Sequence, residues 1–217
     1  GRVPQASAQG RTMSEVMAKF PCLLLAGGQS RRMGGGTKFL RELGGQTLLA
    51  RIVETLHPQV GKMVLNMNAD IPKDAVPDLP ILQDSVSGFA GPLAGILTGL
   101  EYFSAKGEVA SHMLSVPTDA PFIPDDLVLR LSEGLQDDKT TIVMARSVGR
   151  VHPVVALWPI SLTSDLRKAL TDENLRKILV FADRYNRIEV DWTEDEGDPF
   201  FNINRPEDLE KARQRLF

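Results

Sequence analysis

Between residues 26 and 38 the chain reads AGGQSRRMGGGTK, in which five glycines (27, 28, 34, 35 and 36) surround Arg31 and Arg32 and lead into Lys38. Glycine is entropically expensive to order, so such a stretch implies either unusual backbone geometry or a ligand that comes close to the main chain. Backbone N–H groups free of side-chain bulk can converge on phosphate oxygens, and the three cations would add charge-assisted bonds. Neither standard phosphate fingerprint is matched. Lys38 is followed by Phe39 where a P-loop needs Ser or Thr, and Gly27 and Gly28 are adjacent where a dinucleotide motif needs a spacer. The residues alone leave two readings open, a phosphate cradle or a flexible connection carrying solvated arginines.

Two carboxylates sit just beyond apolar runs. Asp119 follows HMLSV and the turn-forming Pro117-Thr118, and Asp84 follows ILQ. Mg²⁺ takes one or two carboxylates together with phosphate oxygens and water, so a lone aspartate at a strand end is sufficient when a nucleotide supplies the rest. Helix capping near Pro124 competes for Asp119, and satisfaction of loop backbone donors competes for Asp84. Asn66 with Asn68, and Asn202 with Asn204, are amides two residues apart, so each pair points to one side of an extended segment. Amides suit recognition of a ribose, a base or a pterin, and they also close turns. His152 precedes Pro153 and an apolar strand; His57 ends a helical pattern and His112 opens a strand, and neither of these two is given a role. The three histidines lack metal-ligand spacing, and no serine or cysteine triad is formed.

The elements that must position these groups alternate. CLLL (22–25) reads as a strand, and 47–57 has the apolar spacing of a helix stopped by Pro58. KMVLNMN and LPILQD read as strands, 91–103 as a helix with Pro92 in its first turn, HMLSV as a strand, and 124–135 as a helix. TTIVMAR and HPVVALW form a hairpin pattern about Gly149; helical patterns follow at 161–171 and 174–184, then RIEVDW as a strand, FFNIN as an extended piece, and a helix over 205–216. Strand–helix alternation predicts a mostly parallel sheet covered on both faces, and the hairpin makes it mixed. Ligands in such sheets collect beyond the carboxyl ends of the strands, where Ala26 to Lys38, Asn66, Asp84, Asp119, Asn202 and Asn204 fall.

A chain of 217 residues with 42% apolar content can bury one substantial core, expected here as a single domain over 20–217. A formal net charge of −3 gives no case for nucleic-acid or membrane-surface binding, so any basic site must be local. The only cysteine, Cys22, lies in an apolar strand and reads as a buried, inert thiol. Residues 1–19 are polar and aperiodic, without the apolar centre of a secretory signal; a disordered N-terminal extension and a cytoplasmic location are expected.

Taken in order, LLLAGGQSRRMGGGTK, VLNMN, ILQDSVSGFAGPLAGILTGL, SVPTDAPFIP, HPVVALW and FFNINRPEDL closely resemble the molybdenum cofactor guanylyltransferases over about residues 21–217. The resemblance implies a three-layer α/β/α Rossmann-like nucleotidyltransferase fold. It also implies transfer of GMP from GTP to the terminal phosphate of molybdopterin or its molybdenum-loaded form, with release of pyrophosphate. By family position, Leu25, Ala26 and Gly27 would meet the guanine nucleotide through the backbone and Lys38 would hold its phosphates. Asn66 and Asp84 match nucleoside contacts, and Asp119 the Mg²⁺ ligand. Arg32, Asn202 and Asn204 match positions at the phosphates or the pterin, and His152 joins them as an acceptor-binding candidate. The family's usual Asp before the lysine is replaced by Thr37. The chain is expected to act as a monomer, with molybdoenzyme maturation proteins as further partners and with neither nucleic acid nor membrane. The rival readings are a CTP-dependent transferase of the same superfamily and a non-catalytic nucleotide-binding adaptor.

Overall fold

The computed structural model describes residues 20–26, 38–69, 76, 78–88, 91–136 and 138–216; the side chain of Lys38 and the expected extension at 1–19 lie outside the described residues. The first half of the chain runs β1 (Cys22–Leu25), a hairpin of β2 (Glu42–Leu43) and β3 (Gln46–Thr47), α1 (Leu48–Leu56), β4 (Met63–Asn66), β5 (Ile81–Leu82) and α2 (Pro92–Ala105). Then come β6 (His112–Pro117), α3 (Leu127–Glu133), β7 (Ile142–Ser147), β8 (Arg150–Pro159), α4 (Thr163–Thr171), α5 (Ile178–Ala182), β9 (Arg187–Trp192) and α6 (Pro206–Arg215).

Seven strands form one sheet in the order β5-β4-β1-β6-β8-β7-β9. Strand β8 is antiparallel to both its neighbours and every other pairing is parallel, so six strands point the same way. Period-2 alternation explains why β1 is apolar throughout. Cys22 and Leu24 face a core shared with Leu49, Ile52 and Leu56 of α1 and Leu127 and Leu131 of α3. Leu23 and Leu25 face a second core built with α2, α4 and α5. A strand covered on both sides has no polar face, and the result is three layers. Burial pushes the Cys22 thiol far above its usual range and keeps it neutral.

Several elements are shorter than the sequence pattern. LPILQD contributes only two residues of strand, β5, beginning just after Pro80, which has no N–H for the ladder. The helical pattern at 174–184 condenses to α5 because Asn174 takes a left-handed φ of 52°. FFNIN forms no strand, and its first residue, Phe200, lies in a turn. The hairpin of β2 and β3 was not anticipated: its turn is Gly44-Gly45, with φ of 61° and 82°, but two-residue strands show no alternation to read.

Ser147 pairs with Arg150 across the β7–β8 hairpin, leaving Val148-Gly149 as a two-residue turn with φ of 52° and 68°. A β-branched residue in the left-handed region crowds its own Cβ against the backbone, at a cost of about 1–2 kcal/mol. Val148 is exposed, so no core packing offsets that strain. Val148→Asn is therefore expected to stabilise the protein by about 1 kcal/mol. Thermal denaturation would show a melting temperature raised by about 2–4 °C; an unchanged or lower value would mean the turn is not strained.

Candidate active site

Four adjacent strands deliver their carboxyl ends to one edge in the order β5, β4, β1, β6, and each brings a residue singled out in the sequence. Asp84 lies two residues beyond β5, Asn66 ends β4, Leu25 ends β1 with Ala26 next, and Asp119 lies two residues beyond β6. The ends are cross-tied. Ala26 N–H donates to the Asn66 carbonyl at 3.0 Å, and the Leu25 carbonyl accepts from the Thr118 N–H at 3.2 Å and hydroxyl at 3.3 Å. Two of the backbone groups at the end of β1 are thereby engaged within the fold. Gly27, Arg32 and Thr37 lie outside the described residues; Lys38 opens a short 3₁₀ turn, and the next residue, Phe39, is anchored in the core.

Around Asp84 the hydrogen bonds form a closed clamp. Asn66 Nδ2 donates to Asp84 Oδ1 at 2.9 Å and to the Leu82 carbonyl at 3.1 Å. Asn68 Nδ2 donates to Asp84 Oδ2 at 2.9 Å, and its Oδ1 accepts the Asp84 N–H at the same distance. Both carboxylate oxygens are thus oriented by neutral amides, each keeping a lone pair for an N–H or O–H from a ligand. Thr98 of α2 takes the Ser85 N–H at 3.0 Å and secures the loop that follows. The two amides of the Asn66–Asn68 pair, read as pointing to one side, do converge, and they converge on Asp84.

Helix α2 presses directly against this clamp. A Cβ on Gly95 would stand 2.5 Å from Asn66 Oδ1 and 2.7 Å from Leu25 Cδ2. Glycine is needed here for close approach, since the helix backbone lies where any side chain would displace Asn66.

On the other side of β6, Asp119 is half-buried, and its carbonyl accepts the Ile203 N–H at 2.8 Å. Ile203 is fully buried, so Asn202 and Asn204 on either side of it project outward next to Asp119. The carboxylate of Asp208, in the first turn of α6, accepts the N–H groups of Asn204 and Arg205, each at 3.0 Å, which fixes the segment's far end. No group of three or more histidine, cysteine, aspartate or glutamate side chains that could hold a metal occurs among the described residues. A single carboxylate supplies the hard oxygen donor that Mg²⁺ accepts alongside phosphate oxygens and water, so the Asp119 side chain is of the chemical type that ion takes.

His152 lies apart from the clamp, in a cavity of about 260 Å³ beneath the β7–β8 hairpin, which Asn202 also lines and Asn204 does not. Its surroundings include two residues that sequence reasoning missed, Ser147 and Asp198. Ser147 Oγ lies 2.7 Å from His152 Nε2 and donates to Asp198 Oδ1 at 2.6 Å. Only the short interval from Ser147 to His152 could have hinted at this, because Asp198 arrives from a loop 51 residues away. Arg215 of α6 braces that loop, donating to the Asp198 carbonyl at 2.6 Å while stacking 3.9 Å from the Phe122 ring centroid. His112 is structural: it is buried, with Nε2 2.7 Å from the Thr141 carbonyl, and burial lowers its pKa.

Residues 22–188 match the family described as the MobA-like NTP transferase domain. A molybdenum cofactor guanylyltransferase of Rhodopseudomonas palustris strain BisB5 is 48% identical over 194 residues, covering 89% of this chain and 92% of that protein. The corresponding enzyme of Bradyrhizobium sp. strain ORS 278 is 46% identical, covering 93% and 95%. Among solved structures, molybdopterin-guanine dinucleotide biosynthesis protein A from Archaeoglobus fulgidus superposes with a TM-score of 0.70 at 25% identity, covering 91% of this chain and 98% of that one.

A helix-interior glycine replaced by alanine ordinarily gains up to about 1 kcal/mol. At Gly95 the sign should reverse, because the new methyl meets an amide already held by two hydrogen bonds. Gly95→Ala is expected to destabilise by about 1–3 kcal/mol in urea denaturation; a stabilised variant would show that α2 does not press on Asn66.

Proposed function

The chain belongs to the MobA-like NTP transferase family, and on that premise we propose that it transfers GMP from GTP to the terminal phosphate of molybdopterin or its molybdenum-loaded form, releasing pyrophosphate. The carrying observation is the convergence of strand ends: Asp84, Asn66, Ala26 and Asp119 share one sheet edge, with the Asn202–Asn204 segment hydrogen-bonded to the Asp119 carbonyl. The clamp of Asn66, Asn68 and Asp84 receives the nucleoside, since a carboxylate flanked by amides is suited to the N–H and O–H donors of a guanine and a ribose. Leu25, Ala26 and Gly27 line the approach of the nucleotide, and Lys38 and Arg32 hold its phosphates.

The nucleophile is a phosphate monoester with a second pKa of about 6, largely ionised at neutral pH, so the protein needs no general base. Its task is to bring two anions together in line, which is a matter of positioning and charge compensation. Lys38 and Arg32 offset the repulsion, while Asn202, Asn204 and His152 hold the acceptor. Asp119 would hold Mg²⁺, which when bound neutralises charge on the phosphates and the departing pyrophosphate.

Incubation with GTP, Mg²⁺ and molybdopterin is expected to release pyrophosphate; GTP binding without release would point instead to an adaptor. Asp119→Ala should reduce the rate by about 100-fold or more, and wild-type turnover in that variant would remove Asp119 from the mechanism. With Mg²⁺ present, GTP should raise the melting temperature more than CTP does; the opposite order would favour a cytidylyl transferase.

A further inference from the structure

The network around His152 constrains where its proton lies. A carboxylate has no proton to give, so the 2.6 Å contact between Ser147 Oγ and Asp198 Oδ1 uses the only hydroxyl hydrogen of the serine. Ser147 Oγ can then only accept from His152 Nε2, at 2.7 Å, and that nitrogen must carry a hydrogen. In a neutral imidazole this leaves Nδ1 as a bare acceptor. Burial is the largest influence on His152 and lowers its pKa; the Asp198 charge and a hydrogen bond to the Ser147 backbone oppose this, and Arg150 adds to it. The side-chain hydrogen bonds among these residues run through His152 Nε2 and Asp198 Oδ1, with the Phe200 N–H also donating to Asp198 Oδ1 at 3.0 Å. Both residues line the cavity, together with Phe200 and Phe201, and the Phe200 ring lies 5.1 Å from the imidazole.

A cavity with apolar flat walls and bare acceptors suits a flat heterocycle that presents N–H groups, and Arg150, which also lines it, can donate to a ring carbonyl. We infer that Ser147 and Asp198 are positioning residues that hold His152 in its Nε2–H form, so that the cavity beneath the β7–β8 hairpin accepts the aminopyrimidinone edge of the pterin. This rests on the reading of the acceptor as a pterin phosphate. It divides the acceptor's two ends: the ring enters the cavity shared by His152 and Asn202, and the phosphate reaches back toward Asp119, which the Ile203 hydrogen bond keeps close to Asn202. The hairpin geometry serves the same end. Pairing of β7 with β8 shifts register between Met144 and Ala145, from Ala156 to His152 as partner, so the irregularity in the ladder lies directly beside His152.

The test reads the histidine proton directly. In ¹⁵N-histidine-labelled protein, His152 should carry its proton on Nε2, and 6-hydroxymethylpterin should perturb Nδ1 while inorganic phosphate does not. Asp198→Ala frees the Ser147 hydroxyl to donate to Nε2 and should move the proton to Nδ1. It should raise KM for molybdopterin about tenfold or more while KM for GTP stays within about twofold. Asp198→Asn keeps an oxygen for both Ser147 and the Phe200 N–H, and should restore the Nε2–H form and the wild-type acceptor KM. The inference is overturned if Nδ1 is protonated in the wild type, if phosphate perturbs the ring and the pterin does not, or if Asp198→Ala changes neither tautomer nor acceptor KM. It also fails if Asp198→Asn loses acceptor affinity with the tautomer intact. A protein that releases no pyrophosphate fails the functional reading alone, because tautomer and pterin binding are measured without turnover.

Discussion

Strand β1 is four residues long, fully buried, and hydrogen-bonded in parallel to β4 on one edge and β6 on the other. A one-residue slip would exchange Cys22 and Leu24 with Leu23 and Leu25 between two different cores, so its register has no alternative. Because β1 ends where Leu25 pairs with Pro117 and Asn66, the places of the Asn66 amide and the Asp119 loop follow from packing many ångströms away. The Asn66–Asp84 side of the site is an extension of the apolar core, and the close seat of α2 at Gly95 shows how little freedom separates the two.

The segment that carries Asn202 and Asn204 is built differently. Residues 193–204 form no strand; buried Phe200 and Ile203 anchor the segment in two cores, and polar contacts add to this: Ile203 on the Asp119 carbonyl, Arg215 on the Asp198 carbonyl, and Asp208 on the N–H groups of Asn204 and Arg205. Each polar tie is worth about 0.5–1.5 kcal/mol on its own, and the burial of Phe200 and Ile203 supplies the larger share of the segment's attachment.

What the sequence made legible divides along the same line. The apolar run of β1, the Pro92 start of α2 and the TTIVMAR/HPVVALW hairpin signalled a parallel sheet with one reversed strand, and the structure has that sheet. Asn66, Asp84 and Asp119 could be picked out because each follows an apolar strand, a local signal. Ser147 and Asp198 could not, since their meaning comes from a contact spanning 51 residues and from which atom holds a proton. The shortening of β5 and α5 was also hidden, because Pro80 and the left-handed Asn174 act through missing or misdirected backbone hydrogen bonds that apolar periodicity does not record.

The hydrogen bond from Ile203 to the Asp119 carbonyl has a consequence for biogenesis. The strand ends that bring Asn66 and Asp119 to one edge are all encoded by residue 117, but the core behind Leu23 and Leu25 draws on α4 and α5. Asp119 gains its neighbour Ile203, and the 193–204 segment its anchors at Asp208 and Arg215, only from the last part of the chain. The candidate site is therefore contributed from both ends of the sequence and is complete only when the C-terminal segment has docked beside Asp119.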